Sequence, residues 1–271
     1  MTSSEVKRKK LTPWKLGAWY TRDEYYLLDR LIGYSKMIKL SRSGVEKYLA
    51  CKRCFVLNYK FSVFPPSLPF TLNNAVDNLC KNEFDYYRKR KEPHPLFLEH
   101  KIDAIPFDHP KLNDWRSNFK GIRFINSADG YNFGGAIDDV WVKPDGQLII
   151  ADVKATAKNE FNWKETWEKY EYPKGYRRQL EMYQWLFRKN GFKVANEAFL
   201  VYFNGLKNEP MFNLSLKFEL HLVRLECNDD WVEEKVKEAS SLLASDVFPK
   251  ASYTCDNCNY LRKRWKVSQT V

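Results

Sequence analysis

Two aspartates and a lysine stand close together in the segment from Gly134 to Thr156, GGAIDDVWVKPDGQLIIADVKAT, and could do chemistry together. The apolar runs on either side of the KPDG turn are typical of a β-hairpin. A carboxylate is uncommon in a strand, and it is costly to bury unless a cation or a hydrogen-bond donor accompanies it. Asp138, Asp152 and Lys154 are therefore candidate site residues.

The turn determines which residues of the hairpin face one another. A type I turn followed by a glycine with positive φ makes a three-residue loop, which pairs Lys143 with Gln147. Counting back from that pair places Asp138 opposite Asp152, and the lysine two residues further on shares their face because strand side chains alternate. Asp139 points to the other face and is predicted to be a bystander.

Two carboxylates at that separation repel each other unless a proton or a cation lies between them. Oxygen ligands favour Mg²⁺ or Mn²⁺, and such an ion polarises a phosphodiester and lowers the pKa of an attacking water. Lys154 is suited to orient that water or to neutralise charge in the transition state. In the plainer interpretation the aspartates cap strand ends and Lys154 makes a salt bridge, but the convergence of three residues favours a metal site.

The composition narrows the class of partner. The chain has 271 residues, 44% of them hydrophobic, and a net charge of +11. A basic chain of this length suits a folded core and a polyanionic partner such as DNA. No apolar run reaches the roughly 18 residues that a membrane span needs. The first residues, MTSSEVKRKK, lack the apolar segment of a signal peptide, so a cytoplasmic location without a membrane partner is predicted.

Four of the six cysteines form two C-x-x-C pairs, Cys51 with Cys54 and Cys255 with Cys258. In a reducing compartment such pairs more often hold a metal than a disulfide. Four thiolates suffice for a tetrahedral Zn²⁺ or for a [4Fe–4S] cluster, and the residues alone leave both open. A site closed by four thiolates has no open coordination position, so its predicted role is structural.

The order of predicted elements is helix, three strands, helix, then strand. A helix capped by Ser41 or Ser43 comes first, and GYRRQLEMYQWLFRKNG is a later helix closed by Gly191. This order predicts an α/β fold with a mixed sheet flanked by helices. Residues 1–40 are assigned to an N-terminal extension and residues 41–271 to the main domain. A long helix before Pro93 is predicted to bury one apolar face: Leu72, Val76, Leu79, Phe84 and Tyr87.

The hairpin motif, G-x-I-D followed by D-x-K, resembles the core of the PD-(D/E)XK nuclease superfamily, and within it the RecB-type and CRISPR-adaptation-exonuclease branch. RRQLEMYQWLF is similar to the Q-x-x-x-Y helix of that branch, with Gln179 and Tyr183 one turn apart. SRSGVEKYLACKRC resembles the branch's opening segment, although Lys52 stands where proline is usual. The resemblance covers roughly residues 41 to 262.

The resemblance implies a restriction-endonuclease-like fold and metal-dependent hydrolysis of DNA, on single strands or ends, in repair, recombination or a related pathway. By analogy with the family, Asp138, Asp152 and the backbone carbonyl of Val153 would bind Mg²⁺ or Mn²⁺, and Lys154 would serve the attacking water. Gln179 and Tyr183 would contact the substrate backbone or support the site. Asp77 stands where the family usually has a metal-binding histidine and would supply an oxygen ligand.

The resemblance also implies that a cysteine site joins the two ends of the nuclease domain. Family members usually have one early and three late cysteines around an iron–sulfur cluster. Here Arg264 stands where the last late cysteine would fall, and Cys54 would replace it. Zinc and an iron–sulfur cluster therefore both remain open.

Two other functions compete with an active nuclease. One is a nuclease-like fold that has lost cleavage and only binds DNA or a protein, which the aspartate at position 77 favours slightly. The other is a zinc-stapled scaffold without a nucleic-acid role, against which the positive charge argues. The intact pair of aspartates with Lys154 favours the enzyme.

Overall fold

The computed structural model describes residues 37–65 and 71–269. Most of the segment assigned to an N-terminal extension, residues 1–36, lies outside the described residues. The last residues of that segment belong to a strand that pairs with the body of the protein. None of the described helices is both long and apolar enough to cross a bilayer.

Eight strands lie in the described part of the chain and form two sheets. They are β1 (Ile38–Ser41), β2 (Ile105–Pro106), β3 (Ile122–Asn126), β4 (Tyr131–Gly135), β5 (Asp139–Val142), β6 (Leu148–Thr156), β7 (Val194–Gly205) and β8 (Phe218–Glu226). The larger sheet has the order β2-β5-β6-β7-β8, with β6 and β7 parallel and the other neighbours antiparallel. The smaller sheet has the order β1-β4-β3, with β1 parallel to β4.

Nine helices accompany these strands in the described residues. They are α1 (Arg42–Ala50), α2 (Lys52–Phe61), α3 (Thr71–Arg90), α4 (Pro95–Glu99), α5 (Leu112–Arg116), α6 (Trp163–Lys169), α7 (Tyr172–Lys189), α8 (Val232–Ala244) and α9 (Asp256–Ser268). Helix α1 begins as predicted, since the Ser41 side chain caps it by accepting a hydrogen bond from the Gly44 N–H.

The β5–β6 hairpin has the register that its turn predicts. The Lys143 N–H donates to the Gln147 carbonyl at 2.9 Å, and Gly146 has a φ of +80°. The ladder runs back from this turn to Asp139 opposite Ala151. It ends there, one pair before the two candidate aspartates would meet, so Asp139 begins the strand.

Helices cover both faces of the five-stranded sheet. On one face Leu180 and Leu186 of α7 share a buried cluster with Ile150 of β6. On the other face Phe84 of α3 and Trp141 of β5 belong to a second buried cluster. Burial of each such apolar side chain stabilises the folded state by roughly 1.5–3 kcal/mol relative to leaving it exposed. These two layers fix the end of β6 between α7 and α3.

The predicted mixed α/β architecture with flanking helices is confirmed, with two sheets instead of one. The predicted apolar face of α3 is partly wrong, because Leu72 and Leu79 are exposed. The buried positions repeat every four residues: Val76, Cys80, Phe84 and Arg88. The buried face ends on a charged residue because Arg88 pairs with the buried carboxylate of Asp139. The apolar pattern of the helix does not reveal this ion pair.

Candidate active site

Asp152 lies near the end of β6, where α7 covers the sheet. Its side chain is only 1% exposed. The Gln179 side-chain amide donates to Asp152 Oδ1 at 2.6 Å, and the Lys154 ammonium forms an ion pair with Oδ2. The carboxylate is thus held from the helix side by an amide and from its own strand by a cation.

Asp138 immediately precedes β5 and reaches toward the same strand end. Its Oδ2 accepts the backbone N–H of Val153 at 2.8 Å. The turn geometry predicted that Asp138 would stand opposite Asp152 as a regular cross-strand pair. The structure does not show this pair. Instead Asp138 binds the backbone of the residue after Asp152, and the two carboxylates remain electrostatic neighbours.

Burial and mutual repulsion govern the protonation of this group. Burial raises the pKa of Asp152 to about 6, the nearby Lys154 opposes that rise, and the charge of Asp138 adds to it. Burial alone would lower the pKa of Lys154, but the carboxylates of Asp152 and Asp138 outweigh it and raise that pKa. Lys154 is therefore a protonated, nearly enclosed cation at neutral pH.

The Gln179–Tyr183 pair supports Asp152 from α7. The same Gln179 nitrogen that donates to the carboxylate also donates to Tyr183 Oη at 3.2 Å, so the tyrosine helps to hold the amide in place. Burial raises the pKa of Tyr183, which keeps its hydroxyl protonated. Both residues are buried, and both lie on the face of α7 that the spacing predicted.

Gly135 of β4 lets α7 approach this closely. A Cβ at position 135 would lie 2.8 Å from Tyr183 Cε1 and 3.1 Å from Arg42 Cβ. We expect Gly135→Ala to lower the free energy of unfolding by about 1–3 kcal/mol, because a methyl group there overpacks a filled site. Urea unfolding checks this.

Gly205→Ala is the matched control, since its Cβ would meet its nearest atom, Phe218 Cε1, at an ordinary 3.4 Å. Equal unfolding free energies for the two alanine variants would contradict the close packing at Gly135.

Asp77 lies on α3 and is an electrostatic neighbour of Asp138. Lys81, one turn later, places its ammonium 2.6 Å from Asp77 Oδ2 and 3.3 Å from Asp138 Oδ1. Burial and the charge of Asp138 raise the pKa of Asp77. The structure therefore brings Asp77 to the candidate site, with a second lysine between it and Asp138.

Asp139 points away from Asp152, as predicted, but it is not idle. It is 1% exposed and pairs with buried Arg88 of α3 and with partly buried Arg116 of α5. Asp85 contacts the same two guanidinium groups. Arg116 Nε also donates to the backbone carbonyl of Asp138 at 2.9 Å. This network fixes the backbone that carries Asp138.

The sequence motifs found in these elements meet at one end of the hairpin. A model of the PD-(D/E)XK nuclease superfamily matches residues 71–262, more than half of the chain. The chain belongs to the PD-(D/E)XK nuclease superfamily. This membership supports a nuclease, and it confirms the resemblance to the superfamily that the hairpin motif indicated. No curated protein sequence matches the chain.

Several solved structures resemble the chain at low identity. A candidate exonuclease from Eubacterium rectale has 16% identity and a TM-score of 0.43, with 90% of this chain and 94% of that chain covered. The protein SSO0001 has 13% identity and a TM-score of 0.42, with 88% and 91% covered. LHK-Exo in complex with dAMP has 15% identity and a TM-score of 0.29, with 86% and 96% covered.

PD-(D/E)XK nucleases use divalent metal ions, and the oxygen donors at this site fit one. Among the described residues Asp77 Oδ1 is buried and has no hydrogen-bond partner. The carboxylates of Asp138 and Asp152 and the carbonyl of Val153 are the other hard oxygen donors at this end of β6. The Val153 carbonyl is 3.5 Å from Lys154 Nζ. The carboxylates are spread around two ammonium groups and are not gathered at one point.

Three charged residues of the site were not found from the sequence. Lys81 had the only usable signal, since it follows Asp77 by one helical turn. Arg42 lies beside Asp152 and Tyr183; burial alone would lower its pKa, but those neighbours raise it. Arg116 comes from an irregular proline-containing region, where no periodic pattern places it near the hairpin.

The four predicted cysteines form a second site away from the carboxylates. Within the described residues they are the only group of three or more His, Cys, Asp or Glu ligand atoms that all lie within 4.8 Å of one another. Three sulfur pairs are 3.6–3.7 Å apart, and none of the four forms a disulfide. Burial raises the pKa of Cys54, so a bound cation would be needed to stabilise its thiolate.

Proposed function

We propose that this protein is a Mg²⁺- or Mn²⁺-dependent deoxyribonuclease that hydrolyses phosphodiester bonds on single strands or at DNA ends. One observation carries the proposal. In a member of the PD-(D/E)XK superfamily, buried Asp152 is paired with Lys154 and held by Gln179, while Asp138 binds the backbone of the residue between them. A structural salt bridge alone would not need a second carboxylate and a positioned amide.

Each residue has a distinct role in this proposal. Asp138, Asp152 and the Val153 carbonyl hold the metal ion, and Asp77 is the further oxygen ligand. When bound, the ion polarises the scissile phosphodiester and acidifies a water molecule. The Lys154 ammonium orients that water and offsets negative charge on the phosphate. The Gln179 amide holds Asp152, and Tyr183 holds the amide.

The proposed substrate follows from charge. The chain carries a net charge of +11, and such a surplus attracts a polyanion at physiological salt. A role in repair, recombination or a related DNA-processing pathway, in the cytoplasm, remains part of the proposal.

A cleavage assay tests the proposed activity. Purified protein is incubated with end-labelled single-stranded and duplex DNA, with Mn²⁺ or with EDTA. We expect labelled fragments only in the presence of the metal. Intact DNA under both conditions, from a folded protein loaded with Mn²⁺, would refute the nuclease.

A nuclease-like binding module is the second candidate. The observation that favours it is the Lys81 ammonium, which lies between Asp77 and Asp138 and already neutralises part of their charge. This candidate predicts salt-dependent DNA binding that Mn²⁺ does not convert into cleavage. The assay above, together with fluorescence anisotropy of labelled DNA, separates the two.

We also propose that the four cysteines hold a single tetrahedral ion, Zn²⁺. Zinc–sulfur bonds of about 2.3 Å place tetrahedral sulfurs about 3.8 Å apart, close to the 3.6–3.7 Å separations here. A [4Fe–4S] cluster spreads its four thiolates around a cube of iron and sulfide and needs wider spacing. This sulfur spacing favours zinc over the cluster that the family resemblance implies.

Metal analysis of the purified protein tests the zinc site. We expect about one zinc per chain and a colourless protein, since four thiolates complete one tetrahedral shell. Cys258→Ser should lose the zinc and melt at a lower temperature, because the two chain segments are then no longer joined. Cys227→Ser, which alters a buried cysteine outside the cluster, is the control. A brown protein rich in iron and sulfide would overturn zinc.

A further inference from the structure

The face of α7 that supports Asp152 continues outward as a series of tyrosines. Tyr172 and Tyr176 precede Gln179 and Tyr183 at spacings of four, three and four residues, so all four share one face of the helix. Exposure falls along this face, from 41% at Tyr172 to 2% at Tyr183. The helix thus leads from solvent to the carboxylate site along aromatic side chains.

Tyr172 and Tyr176 form a continuous row of rings with Tyr170, which precedes the helix; Tyr170–Tyr172–Tyr176 is here called the tyrosine row. The ring centroids of Tyr170 and Tyr172 are 5.6 Å apart, and those of Tyr172 and Tyr176 are 5.5 Å apart. At its inner end the Lys154 ammonium lies 4.8 Å from the centroid of Tyr176. The row therefore begins at the cation of the candidate site and ends in solvent.

Positive charge borders the outer end of the tyrosine row. The Lys158 ammonium lies 5.7 Å from the ring centroid of Tyr170 and 5.9 Å from that of Tyr172, and the Lys169 ammonium lies 5.4 Å from Tyr170. Exposed rings next to cations match a ligand with flat apolar groups on an anionic backbone. A nucleic-acid strand has this combination of groups.

Core packing does not account for the outer rings. Trp163, which lies nearby in the sequence, is partly buried and packs against the main core cluster, with its ring centroid 5.7 Å from that of Tyr202. Trp167 in turn contacts Trp163. Tyr170 and Tyr172, in contrast, are 43% and 41% exposed. The two tryptophans serve the fold, whereas the outer tyrosines offer free surface.

We infer that Tyr170 and Tyr172 are a base-stacking platform for an unpaired DNA strand whose phosphodiester reaches the site past Tyr176 and Lys154. The inference rests on the proposed nuclease function and specifies its substrate. Bases within a duplex have both faces covered by their neighbours, so only an unpaired strand can stack on these rings. The platform therefore confers a preference for single-stranded DNA.

Binding measurements without cleavage test the platform. In an Asp152→Asn background, fluorescence anisotropy gives the Kd for a labelled oligothymidylate and for a duplex of equal length. We expect Tyr172→Ala to weaken single-strand binding by at least about fivefold, with Tyr170→Ala similar, because each lost stacking contact costs affinity. Duplex binding should stay within about twofold. Tyr172→Phe retains the ring and should retain single-strand affinity.

Tyr86→Ala is the matched control, since Tyr86 is also exposed (51%) but lies on α3 and packs on Tyr87 and Arg90. Unchanged single-strand affinity in both platform variants, or an equal loss for both DNA forms, would overturn the platform while leaving the nuclease intact. A parent protein that binds neither form of DNA would refute the proposed function itself.

Discussion

We expect Asp152→Ala to lower the rate of the proposed Mn²⁺-dependent DNA cleavage by at least about a hundredfold, and Lys154→Ala to do the same. Asp152 is a buried carboxylate at the centre of the proposed metal site, and Lys154 is the mostly buried cation paired with it. Each substitution removes a charged group that the proposed reaction needs. The site is mostly buried, so water cannot take the place of the lost group. Initial rates on labelled single-stranded DNA at saturating Mn²⁺ measure the loss.

Two controls separate this result from general damage. Asp145→Ala removes an exposed aspartate at the hairpin turn and should leave the rate unchanged. Lys154→Arg retains the positive charge on a side chain of different shape. Its cleavage rate should lie between those of the wild type and Lys154→Ala. Cleavage that survives both alanine variants would place the chemistry elsewhere. The affinity for Mn²⁺, measured by calorimetry, gives a second readout. Asp152→Ala should weaken Mn²⁺ binding strongly, whereas Lys154→Ala should not.

We expect Asp139→Ala to lower the free energy of unfolding by about 3–5 kcal/mol, the cost of breaking a buried ion pair by removing one partner. The change leaves buried Arg88 and partly buried Arg116 close together with only Asp85 to offset their charge. Burial already lowers the pKa of Arg88, and the carboxylate of Asp139 opposes that effect. Urea unfolding followed by circular dichroism measures the loss.

Asp114→Ala is the matched control for this prediction. Asp114 pairs with Lys120 at 2.6 Å, but both side chains are more than half exposed. An exposed pair contributes about 0–1 kcal/mol, so its loss should be small. Equal effects of the two aspartate substitutions would mean that the buried network does not stabilise the fold.

The hairpin could be predicted from sequence because its geometry is local. The KPDG turn sets the pairing of Lys143 with Gln147, and every later pair follows from it. The prediction fails only at its far end, where Asp138 leaves the ladder to accept the Val153 N–H. A turn determines where a ladder starts but carries no information about where it stops.

The charged surroundings of the site could not be predicted in the same way. Lys81 and Arg116 come from helices far from the hairpin in sequence, and their approach depends on packing across the sheet. Arg88 looks like part of a basic helix end, FDYYRKRK, yet it is buried because Asp139 lies beneath it. A sequence does not distinguish a buried arginine with a distant partner from an exposed one.

The proposed metal site at the four cysteines would also constrain the order in which the protein matures. Cys51 and Cys54 are synthesised before β2–β8, and Cys255 and Cys258 after them. A tetrahedral ion there can acquire its last two thiolates only once all of those strands have left the ribosome. Metal binding by all four cysteines would then come after the synthesis of every strand. In a nascent chain stalled before residue 255, the two cysteine pairs could not be joined by a metal ion.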